Sequence, residues 1–116
     1  MDRMDYREWQ EKHPNFMTPE LLKYKTIGNY VVELSKGTGI RNEPMYGVSL
    51  LEREDGGFSS YIGLEMEVSR PFFDSDEAEN YFTNLAESVR ICQPFEKDTF
   101  RNCVKRELEK LEGVVK

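Results

Sequence analysis

Glu65 and Glu67 have the residue type and the spacing that general acid–base chemistry uses. They lie two positions apart on a predicted strand, so they share one face with about 7 Å between them. Ile62 and Leu64 occupy the opposite, apolar face, which places the two carboxylates in water. Because solvated carboxylates make poor general acids and bases at neutral pH, we interpret this pair as solvent-facing strand residues.

The other residues suited to chemistry do not complete a catalytic or metal-binding set. His13 is the single histidine, and Cys92 and Cys103 are eleven positions apart, so a zinc site has too few ligands at the usual spacings. A nucleophilic triad would also need His13, which precedes a proline in a predicted loop. The loop 36–39 (KGTG) does not match the phosphate-binding pattern GxxxxGK[ST]. We therefore predict a protein that is not an enzyme and has no catalytic residue, no metal site and no cofactor.

The two cysteines and the N-terminus bear on the cellular compartment. Residues 1–5 are charged and contain no apolar segment of the kind that a secretory signal needs. No apolar run approaches the roughly 18–20 residues of a membrane span. These features predict a small soluble cytoplasmic protein, in which Cys92 and Cys103 are buried as small apolar side chains without forming a disulfide.

Acidic side chains outnumber basic ones by 22 to 16, which gives a formal net charge of −6. Residues 52–79 supply the whole excess, because nine acids there accompany only two arginines, for a local net charge of −7. A protein that neutralises nucleic-acid phosphates usually carries a basic patch, so direct nucleic-acid binding is disfavoured. The acids either solvate one face of the protein or offer a negative patch to a basic partner.

Hydrophobic periodicity predicts the elements that would position these acids. Thr18 and Pro19 resemble an N-cap and a first helical residue, so a brief helix is expected over about 19–24. Apolar residues alternate along three later segments, and Asp55-Gly56 between two of them is a strong hairpin signal. Asp74 or Ser75 is the expected cap of a helix whose apolar stripe ends at Cys92, and Asp74 with Glu77 three residues later fits a variant of the capping box. The predicted elements are a short helix within 1–12, the helix 19–24, strands 30–35, 45–53 and 58–69, and helices 76–91 and 97–112.

These elements predict an α+β fold in one domain over residues 1–116. An N-terminal helical segment (1–28), with one or two short helices, precedes a three-stranded antiparallel meander (29–70), and two C-terminal helices (74–112) cover one sheet face. The other face of the sheet is expected to be wet. The predicted core consists of Val32, Leu34, Val48, Leu50, Ile62, Leu64, Met66 and Val68 against Phe82, Leu85 and Val89.

The leading functional hypothesis is a non-catalytic interaction protein that binds the basic surface of a nucleic-acid-binding protein. Its carboxylates would stand in for backbone phosphates and steer association. The short acidic makeup resembles, in composition only, inhibitor and accessory proteins of phages and mobile elements. The predicted contact residues are Glu52, Glu54, Asp55, Phe58, Tyr61, Glu65, Glu67, Asp74, Asp76, Glu77 and Glu79, with Phe58 and Tyr61 as aromatic anchors.

Two alternatives remain open from the sequence. The first is a small-molecule-binding domain or minimal enzyme with a pocket between sheet and helices, lined by Tyr24, Tyr30, Phe72 and Phe73. The second is a homodimeric structural subunit that uses a sheet edge or the helix containing Trp9 as its interface. Salt dependence of binding would separate electrostatic recognition from both alternatives.

Overall fold

A computed structural model describes residues 6–12, 18, 20–54, 57–60 and 70–113. These residues form an α+β fold with an antiparallel sheet and helices on both of its faces. The predicted fold class is therefore confirmed, as are both C-terminal helices. The elements are α1 (Tyr6–Lys12), β1 (Glu20–Ile27), β2 (Tyr30–Thr38), β3 (Pro44–Glu54), β4 (Gly57–Ser60), β5 (Arg70–Phe72), α2 (Ser75–Cys92) and α3 (Lys97–Leu111).

The described part of the sheet has five strands, so the prediction of a three-stranded meander is too small. Strands β1 to β4 follow one another in the order of the sequence, and β5 pairs with β3 beside β4. β4 pairs with the end of β3, over residues 51–54, whereas β5 pairs with its start, over residues 46–48. The predicted third strand (58–69) thus begins as β4, and residues 61–69 lie outside the described part of the chain.

The predicted helix over about residues 19–24 is wrong, because residues 20–24 belong to strand β1, and residue 19 lies outside the described residues. β1 pairs with β2 through a turn at Gly28 and Asn29, which joins Ile27 to Tyr30. Gly28 has a φ of +59°, a left-handed conformation that a glycine at the first central position of a two-residue hairpin turn adopts at little cost. The pairing with β2 overrides the N-cap signal of Thr18 and Pro19.

One face of the sheet carries the main core, as predicted. Val32, Leu34, Val48 and Leu50 are buried there against Phe82, Leu85 and Val89 of α2. The remaining predicted core positions, Ile62, Leu64, Met66 and Val68, lie outside the described residues. α3 completes this layer through Phe100, whose ring stacks on Tyr30 with 4.3 Å between ring centroids.

Cys92 and Cys103 form a disulfide, which corrects the prediction of two unbonded thiols. Cys92 is the last residue of α2 and Cys103 lies in the second turn of α3, and both are buried as expected. The sharp turn between the helices brings the two Cα atoms to 5.8 Å, within the usual range for a disulfide. A sequence separation of eleven does not reveal this proximity until the helices are placed as an antiparallel pair.

The second face of the sheet is covered by α1, so the prediction of a wet face is wrong. Tyr6 packs edge-on against Phe58 with 4.9 Å between ring centroids, and both residues are buried with Val31 and Leu51. Trp9 lies so close to Gly57 that a Cβ there would be 2.3 Å from the indole Nε1. The amphipathic N-terminal helix therefore docks on the chain's own sheet.

This second face also buries a carboxylate. Glu33 on β2 is fully buried and accepts a hydrogen bond of 2.5 Å from the hydroxyl of Tyr6. Burial, followed by the negative charge of Glu33 and by this hydrogen bond, raises the pKa of Tyr6 well above its usual value of 10.0. The tyrosine therefore stays protonated in the folded protein under conditions that ionise it in the unfolded chain.

The Tyr6 hydroxyl predicts an alkaline loss of stability. Above about pH 10 the unfolded state releases this proton and the folded state keeps it, so the free energy of unfolding falls as pH rises. We expect the Tyr6→Phe variant to lack this component, which amounts to at most about 1.4 kcal/mol per pH unit. Urea unfolding of both proteins at a series of alkaline pH values measures it, and equal slopes would contradict the buried Tyr6–Glu33 pair.

Candidate interaction site

The structure places the predicted contact residues in different parts of the fold. Glu52 is half-buried near the end of β3, and the backbone of Glu54 ends the same strand. A second group is exposed at the start of α2 or immediately before it. This second group comprises Asp74, Asp76, Glu77 and Glu79, whereas Asp55, Tyr61, Glu65 and Glu67 lie outside the described residues.

The two described groups of acids do not form one patch. Phe72 of β5 pairs with Tyr46, so the start of α2 lies near the start of β3. Glu52 is six residues further along β3, which corresponds to roughly 20 Å of extended strand. The described acids of the segment 52–79 therefore lie at two ends of the sheet.

Phe58 is not available as the aromatic anchor that the sequence suggested. Its side chain is only 6% exposed and belongs to the core beneath α1. The guanidinium of Arg53 lies over its ring at 4.5 Å from the centroid. A residue enclosed in this way stabilises the second sheet face and offers no surface to a partner.

A cleft of about 600 Å³ lies between the first half of α2 and the end of α3. Its α2 wall has the spacing of one helical face, because Glu77, Asn80, Tyr81 and Asn84 follow one another at intervals of three, one and three residues. The other described residues lining it are Phe72, Thr83, Leu111 and Glu112.

The base of this cleft is apolar. Phe72 of β5 packs on the buried ring of Tyr81, with 5.2 Å between the ring centroids. Leu111, in the last turn of α3, is 43% exposed beside them. Leu111 lies at the end of α3, where this apolar side chain is left partly open to solvent. An apolar side chain from another molecule could therefore be buried here.

The rim of the cleft is polar and acidic. Glu77 is exposed in the first turn of α2, and the amide of Asn84 donates a hydrogen bond to the carboxylate of Glu112. None of the described residues that line the cleft is a lysine, arginine or histidine. Because the two carboxylates face an apolar base, the cleft suits a ligand that is both apolar and positively charged.

Several neighbouring acids are already engaged within the protein. Asp74, one of the two predicted caps, caps α2 by accepting a hydrogen bond of 2.9 Å from the backbone N–H of Glu77. Glu79 forms an ion pair with Lys23 of β1. Hydrogen bonds from Arg90 lower the pKa of Glu87 below its usual value. Among the described residues no such ion pair involves Glu77 or Glu112.

The pocket proposed from the sequence, between sheet and helices, takes a different form. Only Phe72 of its four predicted residues lines the cleft. Tyr30 is buried under Phe100, and Tyr24 packs on Tyr6 at the opposite sheet face, with 5.3 Å between ring centroids. Phe73 is 62% exposed at the corner before α2. The helices, and not the sheet, form the two main walls.

The two surfaces proposed for a homodimer are partly occupied. The helix containing Trp9 packs on the second face of its own sheet. β1 is the edge strand of the described sheet, but its pairing with β2 is interrupted by an irregularity between Leu21 and Lys23. Bulges and lysines on an edge strand oppose the addition of a further strand.

Searches for other kinds of site give negative results within the described residues. No group of three histidine, cysteine or acidic side chains there is arranged to hold a metal ion. No helix in the same part of the chain is long and apolar enough to cross a membrane.

Comparison with family models, curated proteins and solved structures finds no match to this chain. The functional proposal is therefore based on the chemistry of the cleft.

Proposed function

We propose that the protein is a non-catalytic interaction protein that binds a basic partner protein through the cleft between α2 and α3. The observation that supports this proposal is the pairing of an apolar base, at Phe72 and Leu111, with the rim carboxylates of Glu77 and Glu112. A basic protein surface offers lysine and arginine side chains whose apolar stems and charged ends match both parts of the cleft.

Electrostatics favour a protein partner of this kind over a nucleic acid. The chain carries a net charge of −6, which repels a phosphate backbone and attracts proteins that bind one. The exposed Asp76, next to Glu77 of the rim, extends the negative field beyond the cleft. In this proposal these two acids accelerate the encounter with the partner, and the cleft itself determines how long the complex lasts.

The partner proposed is a nucleic-acid-binding protein whose basic groove accepts carboxylates in place of phosphates. The chain would then act as an inhibitor or accessory protein of the kind that phages and mobile elements encode. Its cytoplasmic location stays a prediction, against which the Cys92–Cys103 disulfide is the contrary observation, because disulfides persist mainly in oxidising compartments.

Charge reversal at the cleft tests the proposal. In a pull-down from a lysate of the cells that produce this protein, we expect the wild type to capture a basic partner. We expect the double variant Glu77→Lys, Glu112→Lys not to capture it. The matched control is Glu8→Lys, Glu11→Lys, which makes the same change in net charge on exposed residues of α1 at the other sheet face. Circular dichroism and thermal unfolding establish that both variants fold.

The captured protein is identified, purified and titrated with all three proteins at low and high salt. The proposal predicts a basic partner that binds the wild type and the control and loses affinity for the cleft variant by at least about a hundredfold, since two interfacial charge pairs become repulsive. Equal binding to all three proteins, or a captured partner without a basic surface, would show that the rim carboxylates only solvate the protein.

A further inference from the structure

We infer that the cleft receives one helical segment of the partner, with basic residues seven positions apart and apolar residues between them. This inference rests on the proposed function and adds to it the form of the ligand. It follows from three features of the cleft, which are the spacing of its carboxylates, the position of its apolar base and the character of its hydrogen-bonding groups.

The two ends of the α2 wall at which the carboxylates lie are two helical turns apart. Glu77 lies at one end of the α2 wall, and Glu112 is held at the other end by Asn84. Seven residues of α-helix separate Glu77 from Asn84, which corresponds to about 10 Å along the helix axis. Two lysines or arginines at positions i and i+7 of a ligand helix have the same separation, so each reaches one carboxylate.

The apolar base lies between these two charged ends. Tyr81 is one turn from Glu77 along α2, and Leu111 precedes Glu112 on α3. A ligand helix that places basic residues at i and i+7 presents its i+3 and i+4 residues on the same face. Apolar side chains at those two positions would therefore cover Leu111 and the edge of Phe72, which is half-buried.

The hydrogen-bonding groups of the cleft favour a helix over an extended strand. A strand that enters a groove must satisfy its backbone N–H and C=O groups there, whereas a helix satisfies them internally. The two main described walls are helices, and within them the backbone groups of the α2 wall pair inside the helix, so this wall offers side chains such as those of Asn80, Thr83 and Asn84. Among the described lining residues only Phe72 belongs to a strand, the three-residue β5, and so short an edge offers little backbone to a further strand.

Synthetic helical peptides test the inference directly. The probe is a fluorescein-labelled, alanine-rich peptide with two lysines at i and i+7 and leucines at i+3 and i+4. A second peptide has the same composition with the second lysine moved to i+5, on another face, and a third has serine for both leucines. Fluorescence anisotropy with wild-type protein is expected to show binding of the probe at least about tenfold tighter than that of either control peptide.

Two protein variants locate the binding. Leu111→Ser is expected to weaken binding of the probe about tenfold, because it removes the exposed part of the apolar base. Phe95→Ser is the matched control, since Phe95 is 44% exposed, close to the 43% of Leu111, but lies in the turn at the opposite end of the helix pair. Equal effects of the two substitutions would overturn the inference.

Spermidine provides the last comparison, since it is a flexible polycation without apolar side chains. Displacement of the probe by equimolar spermidine would assign the cleft to soluble polyamines and overturn the inference. Equal affinity for the three peptides would likewise exclude a helical register. The charge-reversal experiment tests the proposed function independently of both results. If the cleft variant loses the natural partner but the three peptides bind equally, the proposed function stands and the helical ligand is excluded.

Discussion

Replacing Phe100 by alanine is expected to lower the free energy of unfolding by about 3–5 kcal/mol. Phe100 is fully buried, and its ring lies parallel to that of Tyr30 with 4.3 Å between centroids. Its removal leaves a cavity between α3 and the sheet that a helix tied to α2 by a disulfide cannot easily fill. The same substitution should weaken partner binding, because α3 carries Leu111 and Glu112.

Urea unfolding monitored by far-UV circular dichroism measures the loss of stability. Phe95→Ala provides the control, since this residue is 44% exposed in the turn before α3 and should change stability by less than about 1 kcal/mol. If Phe100→Ala and Phe95→Ala unfold at the same urea concentration, the packing of α3 on the sheet is contradicted.

Removing the disulfide is expected to lower the free energy of unfolding by about 3 kcal/mol. The bond joins residues eleven apart, and a loop of this size restricts the unfolded chain by about that amount in the chain-entropy model. The double variant Cys92→Ala, Cys103→Ala should therefore unfold at a lower urea concentration. It should keep its helices, because Val89 and Val104 remain buried in the same layer.

Reduction of the wild type supplies an independent check of this value. Wild-type protein unfolded in excess dithiothreitol should have a midpoint close to that of the double variant, and dithiothreitol should not affect the variant itself. A wild-type midpoint that is the same with and without the reductant would mean that the two thiols are not joined.

The C-terminal helices and the main core were predictable because their evidence is local. The stripe from Ala78 to Cys92 repeats at helical spacing over four turns, and all of its members are buried. Asp74 occupies the N-cap position of α2, and its carboxylate accepts a hydrogen bond from the backbone N–H of Glu77. The alternation at Val32 and Leu34 likewise specified one buried face of β2.

Strand β1 was missed because two local signals compete. Thr18 and Pro19 favour the start of a helix, whereas Gly28-Asn29 is a two-residue hairpin signal that favours a strand before Tyr30. Pairing with β2 decides between them, and pairing is not visible in residues 19–24 alone. Weighing the Gly28-Asn29 turn against the cap signal would have identified the hairpin.

The buried Glu33 and the cleft were missed for a different reason. Alternation alone places Glu33 on a polar face, and only the docking of α1 makes that face interior. Helical spacing places Leu111 on the same side of α3 as the buried Leu108, yet Leu111 is 43% exposed in the last turn of the helix. Both features depend on where an element ends or docks, which the sequence pattern does not encode locally.

Amide hydrogen exchange of the complex tests the central claim, that the partner binds at the cleft between α2 and α3. Exchange is measured by mass spectrometry on the free protein and on the protein saturated with the purified basic partner. We predict slower exchange in residues 77–84 and 108–112 and little change in α1 or the loop 39–43. Protection confined to α1, to β1 or to that loop would contradict the assignment of the cleft as the binding site.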